Sequence, residues 1–511
     1  TSTTDTFVLN SSENDNGGAV LNVGNLTVND GVFDQNKANG TDASGGAISN
    51  DFVITRTGEN VTHKQTSILK VNNSIFTQNE TATRGGAIAN YGTASSSGNK
   101  YQLNEADVGG AIANSVAASV TDANGSNYQQ PKVILESEGD TFDDNLAGNA
   151  GGAIYNAGYV SVKDGTATYI DAEATINNAT MTKNTAAYIG GAVYNSGKMV
   201  ITNSTFDANK TKQTGGEGGA IFNNTDILTV DNTNTLVQGR LEVSNSEIKN
   251  NTATSSGGGI HNMGGLTSTQ NTYEKNTSSA AGGAITNIAT GIENAPAALL
   301  TSANDTFTQN TATEKGGAIY NANGGDAVIE GATFDSNTGG QGGAIYNSGN
   351  VTIQNGNTTT FTQNNAASGG AIYNESMLSV SKNTTFNENT ATNGGSIYNA
   401  GTATFGVEDS SALDEGITTA SETATLLFEK NKATAAGGAV YNKDTMVFDE
   451  ATSFKSNTVE TTSYSAQGGA VYNEGGVTFN KQATFDGNTV SAGSRAYGGA
   501  VYNKGDIIFN G

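Results

Sequence analysis

One six-residue pattern recurs along this sequence and limits what the chain can fold into. It reads Gly-Gly, a small residue, Ile or Val, a variable residue and Asn. The small residue is Ala except at Gly259 and Ser396, and the sixth residue is Asn in every copy. The 16 copies begin at Gly17, Gly45, Gly85, Gly109, Gly151, Gly190, Gly218, Gly257, Gly282, Gly316, Gly342, Gly369, Gly394, Gly437, Gly468 and Gly498. Self-similarity at intervals of 24 to 43 residues is typical of a repeat architecture.

A second motif precedes the hexapeptides: an aromatic or large apolar residue, any two residues, and Asn. Conservative variants replace the Phe with Tyr, Met or Ile, as in Tyr101–Asn104 and Met181–Asn184. Clear copies are Phe33–Asn36, Phe76–Asn79, Phe142–Asn145, Phe206–Asn209, Phe307–Asn310, Phe361–Asn364, Phe386–Asn389 and Phe485–Asn488. The regular alternation of two motifs indicates one structural unit per pair.

The residues between the motifs favour strands. Gly, Asn and Thr are poor helix formers, whereas segments such as Val351-Thr352-Ile353 alternate apolar and polar residues with a period of two. The segment from Gly342 to Asn364 predicts three short strands joined by three turns. Stacked coils of this kind form a parallel β-helix. The sequence therefore predicts an all-β fold, a single right-handed parallel β-helix (a solenoid) of about 16 three-strand rungs with pectate-lyase-like architecture, continuous over residues 1–511.

Comparison of the copies also predicts which side chains face inward. The fourth position is always Ile or Val and should point into the coil, the variable fifth should point outward, and the Asn should return inward or lie at a corner. Stacked Asn side chains could then form an amide ladder along the axis. The predicted structural ladder comprises Asn156, Asn195, Asn321, Asn347, Asn374 and Asn399, with Ile345, Ile372, Phe361 and Phe386 in the core.

Tyrosine occupies the fifth position in four successive copies: Tyr320, Tyr346, Tyr373 and Tyr398. These rings are a candidate binding stripe, on which a sugar or a neighbouring molecule would stack. The alternative is that the rings stack on one another across strands and stabilise the sheet.

Composition excludes several classes of function. The net charge of −24 argues against binding nucleic acid through its phosphates, and zero Cys excludes thiolate chemistry. The two histidines, His63 and His261, are far apart in sequence. Acidic pairs such as Asp143-Asp144 and Glu136/Glu138 have no recurring basic partners, so solvated surface acids are the simpler interpretation. We expect no enzymatic activity, catalytic residue, metal site or cofactor, although surface calcium is left open.

Insertions lengthen some repeats, always after the hexapeptide. They are predicted near residues 51–70, 115–135, 159–176, 224–243, 288–302 and 401–424. Such loops should emerge from one side of the coil, and solenoids usually place recognition in loops on a rigid scaffold. The alternative is that they are tolerated decorations without function.

The alternation of the two motifs resembles the polymorphic outer membrane proteins of Gram-negative bacteria, whose passenger domains repeat GGA[ILV] and FxxN. This resemblance runs from Phe7–Asn10 to Asn503. It implies an autotransporter passenger, exported as a β-helix and exposed at the cell surface, and several such proteins act in adhesion.

Two functions follow as expectations. The first is a non-enzymatic cell-surface adhesin or stalk, extracellular and outer membrane-attached or secreted. Its side loops would bind a host or neighbouring cell surface, a matrix protein or a glycan. The alternative is a structural subunit of an extracellular filament or sheath, in which copies stack end to end through uncapped coils. A membrane would be met only through a flanking segment outside this sequence.

Overall fold

The computed structural model describes residues 2–57, 60–116, 120–121, 127–128, 132–163, 166–230, 233–292, 296–354, 356–406 and 426–511. The chain divides into two compact units, Thr1–Leu266 and Thr267–Gly511. Within the described residues there is no helix, and hence none of the length and apolarity that crossing a membrane requires. The predicted all-β, parallel β-helix architecture is therefore confirmed within each unit. The predicted continuity over residues 1–511 and the right-handed sense stay predictions.

The turns of the chain contribute strands to four parallel sheets, one more than the sequence predicts. On the fourth side, two turns of the second unit contribute only isolated bridges, including those at Thr338 and Asn365. Sheet 1 holds the hexapeptide strands, sheet 2 the strands that follow them, sheet 3 the aromatic strands, and sheet 4 short strands after the FxxN Asn. Many sheet 4 strands are only two residues long, such as Glu80–Thr81. Two residues carry no detectable periodicity, and this explains why the sequence pattern missed the fourth side.

The first unit has eight described strands in each sheet. Those of sheet 1 are Val20–Asn22, Ile48–Asn50, Ile88–Asn90, Ile112–Ser115, Ile154–Ala157, Val193–Asn195, Ile221–Asn223 and Ile260–Asn262. Those of sheet 2 are Ser2–Thr3, Asn25–Asn29, Ile68–Asn72, Thr93–Ser97, Val133–Glu138, Ala172–Asn177, Lys198–Thr202 and Arg240–Ser244. Those of sheet 3 are Thr6–Val8, Val32–Asp34, Ile75–Thr77, Lys100–Gln102, Thr141–Asp143, Thr180–Thr182, Thr205–Asp207 and Glu247–Lys249. Those of sheet 4 are Ser11–Ser12, Lys37–Ala38, Glu80–Thr81, Glu105–Val108, Leu146–Ala150, Thr185–Ala186, Lys210–Thr211 and Thr252–Ala253.

The second unit repeats the arrangement, and the strand Gly265–Thr269 contains the boundary residues. Its sheet 1 strands are Ile285–Asn287, Ile319–Asn321, Ile345–Asn347, Ile372–Asn374, Ile397–Asn399, Val440–Asn442, Val471–Asn473 and Val501–Asn503. Its sheet 2 strands are Ala298–Ala303, Gly325–Glu330, Asn350–Ile353, Met377–Val380, Thr402–Phe405, Thr445–Phe448, Gly476–Phe479 and Asp506–Phe509. Its sheet 3 strands are Thr272–Glu274, Thr306–Thr308, Thr333–Asp335, Thr359–Thr362, Thr384–Asn387, Leu426–Glu429, Thr452–Lys455 and Ala483–Asp486. Its sheet 4 strands are Thr277–Ser278, Thr311–Ala312, Thr390–Asn393, Lys432–Ala436, Thr458–Glu460, Ser465–Gln467, Thr489–Ser491 and Arg495–Tyr497.

Equivalent residues of successive turns pair in register. Asn347 lies opposite Asn374 in sheet 1, and Phe361 opposite Phe386 in sheet 3. A shift by one residue would turn every side chain to the other face of its sheet, so the repeated sequence fixes the register. The core lies inside the coils, where Ile345 and Ile372 are fully buried.

Four antiparallel β-hairpins interrupt the first unit. Their strands are Val53–Thr57 with Asn60–Gln65, Val120–Thr121 with Asn127–Tyr128, Tyr159–Lys163 with Thr166–Ile170, and Thr225–Val230 with Thr233–Gln238. They fall in four of the predicted insertions. The last residues of each of these predicted insertions belong to a sheet 2 strand and not to the hairpin. Residues 298–302 of a fifth insertion are also a sheet 2 strand. Of the sixth, residues 407–424 lie outside the described residues.

Candidate functional site

The hexapeptide Asn side chains form a ladder of hydrogen bonds within each unit. In the first unit the Asn156 amide donates to Asn195 Oδ1 at 2.8 Å, and the Asn195 amide to Asn223 Oδ1 at the same distance. In the second, Asn321 donates to Asn347 and Asn374 to Asn399. Each amide also bonds a backbone carbonyl at the turn into sheet 2, as Asn347 does to Met377. These buried polar groups are thereby satisfied, and the turn is fixed to its neighbour.

A second Asn ladder, not predicted from the sequence, runs along the FxxN motifs. The Asn364 side chain donates to Asn389 Oδ1 at 3.0 Å and to the Phe334 carbonyl at 2.9 Å. Its backbone N–H bonds the same Asn389 oxygen. The preceding Gln363 has a φ of +54°, as do its equivalents within a few degrees. The presence of Asn in every copy of the motif could have predicted this ladder. A position that only ended a strand would also accept Asp, Ser or Gly.

Phe361 and Phe386 belong to a stacked column inside sheet 3. The Phe334–Phe361 and Phe361–Phe386 ring centroids are 4.7 and 4.9 Å apart, with interplanar angles of 3° and 7°. All three rings are fully buried. Each phenylalanine therefore packs chiefly on its copies in the adjacent turns.

The Gly-Gly pair has two separate structural causes, visible at Gly342 and Gly343. Gly342 has a φ of +64°, which L side chains rarely adopt. A Cβ on Gly343 would lie 2.0 Å from the carbonyl oxygen of Gly370 in the next turn. The first glycine therefore makes the corner, and the second allows two turns to approach closely.

The candidate stripe of Tyr320, Tyr346, Tyr373 and Tyr398 is a ring stack on sheet 1. Tyr346–Tyr373 and Tyr373–Tyr398 are 4.9 and 4.8 Å apart and nearly parallel, whereas Tyr320 is tilted by 60° to Tyr346. Tyr346 is 1% exposed and Tyr398 is 9% exposed. The sequence predicts outward side chains at this position, yet mutual stacking leaves little of these rings in contact with solvent.

Charged residues next to the hexapeptide Asn bond the phenols of this column. The Tyr472 hydroxyl donates to Glu474 at 2.8 Å, and Lys504 Nζ donates to the Tyr472 hydroxyl. Lys443 Nζ lies 5.6 Å from the centroid of the Tyr398 ring. Burial, together with the nearby Tyr398 and Glu375, raises the pKa of Tyr373 to about 12.

A shorter aromatic column occupies the same position in the first unit. Tyr155 stacks on Tyr194 at 4.7 Å, Tyr194 on Phe222 at 5.9 Å, and Phe222 on His261 at 4.9 Å. Ala113 lies opposite Tyr155 in the preceding turn, so no ring continues the column on that side.

All four hairpins leave the coil at one corner, between sheet 1 and sheet 2. The third hairpin is bonded to the coil by the Tyr169 hydroxyl, which donates to the Ser196 carbonyl at 2.7 Å. The fourth is bonded by Thr225 Oγ1, which donates to the Met263 carbonyl at 2.7 Å. Beside them Arg240 forms an ion pair with Asp171 at 2.6 Å. The bases of these two hairpins are thus attached to the neighbouring turns.

The acidic pairs noted in the sequence lie on the surface. Glu136, Glu138 and Asp144 are exposed, and Asp143 accepts hydrogen bonds from Gln102 and Thr182. Two amide donors, Asn177 and Asn178, lower the pKa of Glu138. Among the described residues, no three His, Cys, Asp or Glu side chains are grouped as a metal would require.

Comparison with known families identifies the repeat. Six segments match the Chlamydia polymorphic membrane protein repeat, namely residues 141–157, 245–263, 306–322, 331–348, 358–375 and 425–443. Each joins an aromatic motif to the hexapeptide that follows, and together they cover about a fifth of the chain. No curated protein matches the chain. The family is one of bacterial surface proteins and is not known as enzymatic. The chain is therefore a parallel-β repeat protein that contains six repeats matching the Chlamydia polymorphic membrane protein repeat.

Proposed function

We propose that the protein is a non-enzymatic cell-surface adhesin whose β-hairpins attach to a host or neighbouring cell. The observation that carries this proposal is the placement of the hairpins in the first unit. All four are inserted between a sheet 1 strand and the following sheet 2 strand, in different turns of the same coil. A shared corner brings hairpins from several turns to the same side of the coil, as an extended binding surface requires.

The scaffold suits this role because it holds the hairpin bases firmly. Hydrogen bonds along two Asn ladders and four sheets join each turn to its neighbours. The neighbouring turns therefore fix the position of each hairpin base. Tyr169 and Thr225 add direct bonds between hairpins and coil. Recognition groups on a rigid framework lose less conformational entropy when they bind.

The family of the repeats gives a second support. A family of surface proteins implies that this chain is exported and meets other cells or their matrix. The proposed localisation is thus the cell surface or its immediate exterior, and the proposed partner is a macromolecule there. The large negative charge of the chain makes a basic or neutral partner surface more favourable than an acidic one.

The chain itself supplies the design of a test. Between Asn195 and Lys198 the corner is closed by only Ser196-Gly197, without an insertion. Replacing residues 51–67, 115–133, 157–172 and 224–239 each with Ser-Gly should remove the hairpins and keep the coil. We expect the variant without hairpins to retain its β-sheet circular dichroism and to bind cultured epithelial cells at least tenfold less in flow cytometry.

Single replacements serve as internal controls, since they show which hairpin carries attachment. Undiminished cell binding by a folded variant without any of the four hairpins would refute the proposal.

A further inference from the structure

The aromatic column of the first unit ends with one ring face uncovered by another ring. Tyr155 stacks on Tyr194 on one side. On its other side the equivalent positions are Ala113, Ala89 and Ser49, none of which carries a ring. In the second unit Tyr373, Tyr398, Tyr441 and Tyr472 each have a ring stacked on both sides. Tyr155 therefore presents an aromatic face where the column stops.

A cleft of about 350 Å³ lies at this end of the column, within the size range of small-molecule sites. Residues from sheet 4 and from the turns that lead into sheet 1 line it beside the tyrosine. They include Arg84, Asp42, Asp107 and Thr83, and Tyr91 joins them from the turn between sheet 1 and sheet 2. The cleft thus combines aromatic, cationic and carboxylate groups, and residues of four successive turns build it.

The walls of the cleft are held in place by internal hydrogen bonds. The Tyr91 hydroxyl donates to Ser44 Oγ at 2.9 Å, and Ser44 Oγ lies 3.1 Å from Thr83 Oγ1. Tyr91 is only 6% exposed. These groups satisfy one another and fix the Tyr91 ring without a ligand, which is the preorganisation that a binding site needs.

The charged groups at the cleft, unlike Tyr91 and Ser44, are exposed and can bind a ligand. The Arg84 side chain is exposed and forms no ion pair or hydrogen bond with the described part of the chain. Asp42 and Asp107 are exposed as well. A guanidinium only donates hydrogen bonds and a carboxylate only accepts them, so together they complement a ligand that does both.

We propose that this cleft binds a neutral pyranose sugar. The sugar would place its C–H face on the free face of Tyr155, and its hydroxyls would accept from Arg84 and donate to Asp107 or Asp42. An anionic ligand fits less well because two carboxylates accompany the single guanidinium in a chain of net charge −24. An apolar ligand fits less well because it would bury these charges unpaired.

The charged residues of the cleft do not belong to the hairpins. Arg84, Asp42 and Asp107 precede sheet 1 in the chain, on its sheet 4 side, whereas the hairpins leave on its sheet 2 side, where the cleft residue Tyr91 also lies. The inference therefore goes beyond the proposed attachment through hairpins, and substitution of Arg84 or Asp107 leaves all four hairpins in place.

Saturation-transfer-difference NMR tests the proposal on the full chain. The probes are the methyl glycosides of glucose, galactose, mannose and N-acetylglucosamine, with N-acetylneuraminic acid as the anionic comparison. We expect at least one neutral glycoside to bind, and its dissociation constant to rise at least tenfold in Arg84→Ala and in Asp107→Ala. Both side chains are exposed, so these variants should fold.

A matched control is Arg495→Ala, which removes an exposed arginine 5.1 Å from the centroid of the Tyr464 ring in the second unit. It should leave glycoside binding unchanged. Tyr155→Leu, checked for folding by circular dichroism, should reduce transfer to the sugar ring protons. The proposal is overturned if no neutral glycoside binds, if binding survives both cleft variants, or if only the anionic sugar binds in an Arg84-dependent way.

Discussion

Asn347 donates its side-chain amide to Asn374 Oδ1 at 2.8 Å, and the two residues occupy the same position in successive turns. Both side chains are completely buried. Asn347 Oδ1 in turn accepts the Asn321 amide at 3.0 Å and the Gly349 backbone N–H at 3.1 Å. The amide thus uses its donors and its acceptor at once. Burying a single Asn without hydrogen-bond partners would cost free energy, whereas the repeated Asn side chains satisfy one another and stabilise the coil.

Asn374→Ala should therefore destabilise the second unit strongly. The substitution leaves the Asn347 amide with only its Met377 carbonyl acceptor and removes the side-chain donor to Asn399 Oδ1. A buried group that loses its partner costs about 1 to 3 kcal/mol, so we expect a loss of about 3 kcal/mol in the free energy of unfolding. Hydrogen exchange measured by mass spectrometry should show faster exchange in the turns on both sides of residue 374.

Asn350→Ala is the matched control. Asn350 is exposed and makes one surface side-chain bond, to Asp326 at 2.7 Å. Its loss should change the free energy of unfolding by less than about 0.5 kcal/mol. Equal effects of the two substitutions would mean that the ladder does not stabilise the coil.

Gly343→Ala should disrupt the stacking of turns. The new methyl group would lie 2.0 Å from the Gly370 carbonyl oxygen and 2.6 Å from the Asn365 backbone nitrogen, both of which belong to the next turn. Backbone atoms, unlike a flexible side chain, cannot move out of the way without shifting the turn. We therefore expect the free energy of unfolding to fall by at least about 3 kcal/mol, measured by urea denaturation. Gly476→Ala places its methyl group in open space and should be neutral. A Gly343 variant as stable as the Gly476 variant would contradict the close approach.

The sequence predicted those features that repeat with the same chemistry in every turn. Ile345 and Asn347 recur in register, so their burial and stacking followed from comparing the copies. The short fourth strand, such as Glu80–Thr81, did not follow, because two residues define no pattern. The hairpin character of the insertions was also missed, since antiparallel pairing depends on tertiary context as well as on local sequence.

Mutual stacking of the tyrosines was one of the two predicted alternatives, but the extent of their burial was not predicted, for a different physical reason. A variable position in a repeat suggests solvent exposure, and the fifth position varies from Ala89 to Tyr346. Exposure there depends on the neighbours in adjacent turns rather than on the residue itself. Tyr346 is covered because Tyr373 lies next to it, whereas no ring stacks on the other side of Tyr155 because the residue opposite is Ala113.

Phe361→Ala should open a cavity in the aromatic column. The ring is fully buried between Phe334 and Phe386, so we expect the free energy of unfolding to fall by about 3 to 5 kcal/mol. Phe361→Met should cost less than about 1.5 kcal/mol, since Met181 occupies the equivalent sheet 3 position in the first unit. Thermal denaturation of both variants measures the difference. An alanine variant no less stable than the methionine variant would show that the column does not depend on packing.

The buried Asp305 should make the second unit less stable as the pH rises from 4 to 6. Burial raises the pKa of this carboxyl from 3.8 to about 6, although Ser302 and the Asn271 backbone N–H donate to it. Between these values the unfolded chain releases a proton that the folded chain retains, so the free energy of unfolding falls with pH. Asp305→Asn should remove this pH dependence and raise the free energy of unfolding at pH 7 by on the order of 2 kcal/mol. Urea denaturation at pH 4, 5, 6 and 7 gives the slope, and an unchanged slope in the variant would refute this assignment.

The opposite pH dependence should come from His261 in the first unit. Its ring is 3% exposed and stacked on Phe222, and burial lowers the pKa from 6.5 to about 4. As the pH falls from 6.5 to 4, the unfolded chain takes up a proton that the folded chain excludes, so stability is lost over this range. Glu217 Oε2 lies 3.8 Å from His261 Nε2, but burial raises the pKa of Glu217 too, so it offsets little of this loss. His261→Phe keeps an aromatic ring in the column and should abolish the acid-dependent loss, as hydrogen exchange of residues 218–262 at pH 6.5 and 4.5 would measure. An acid-dependent loss that persists in this variant would assign it to carboxylates elsewhere in the unit.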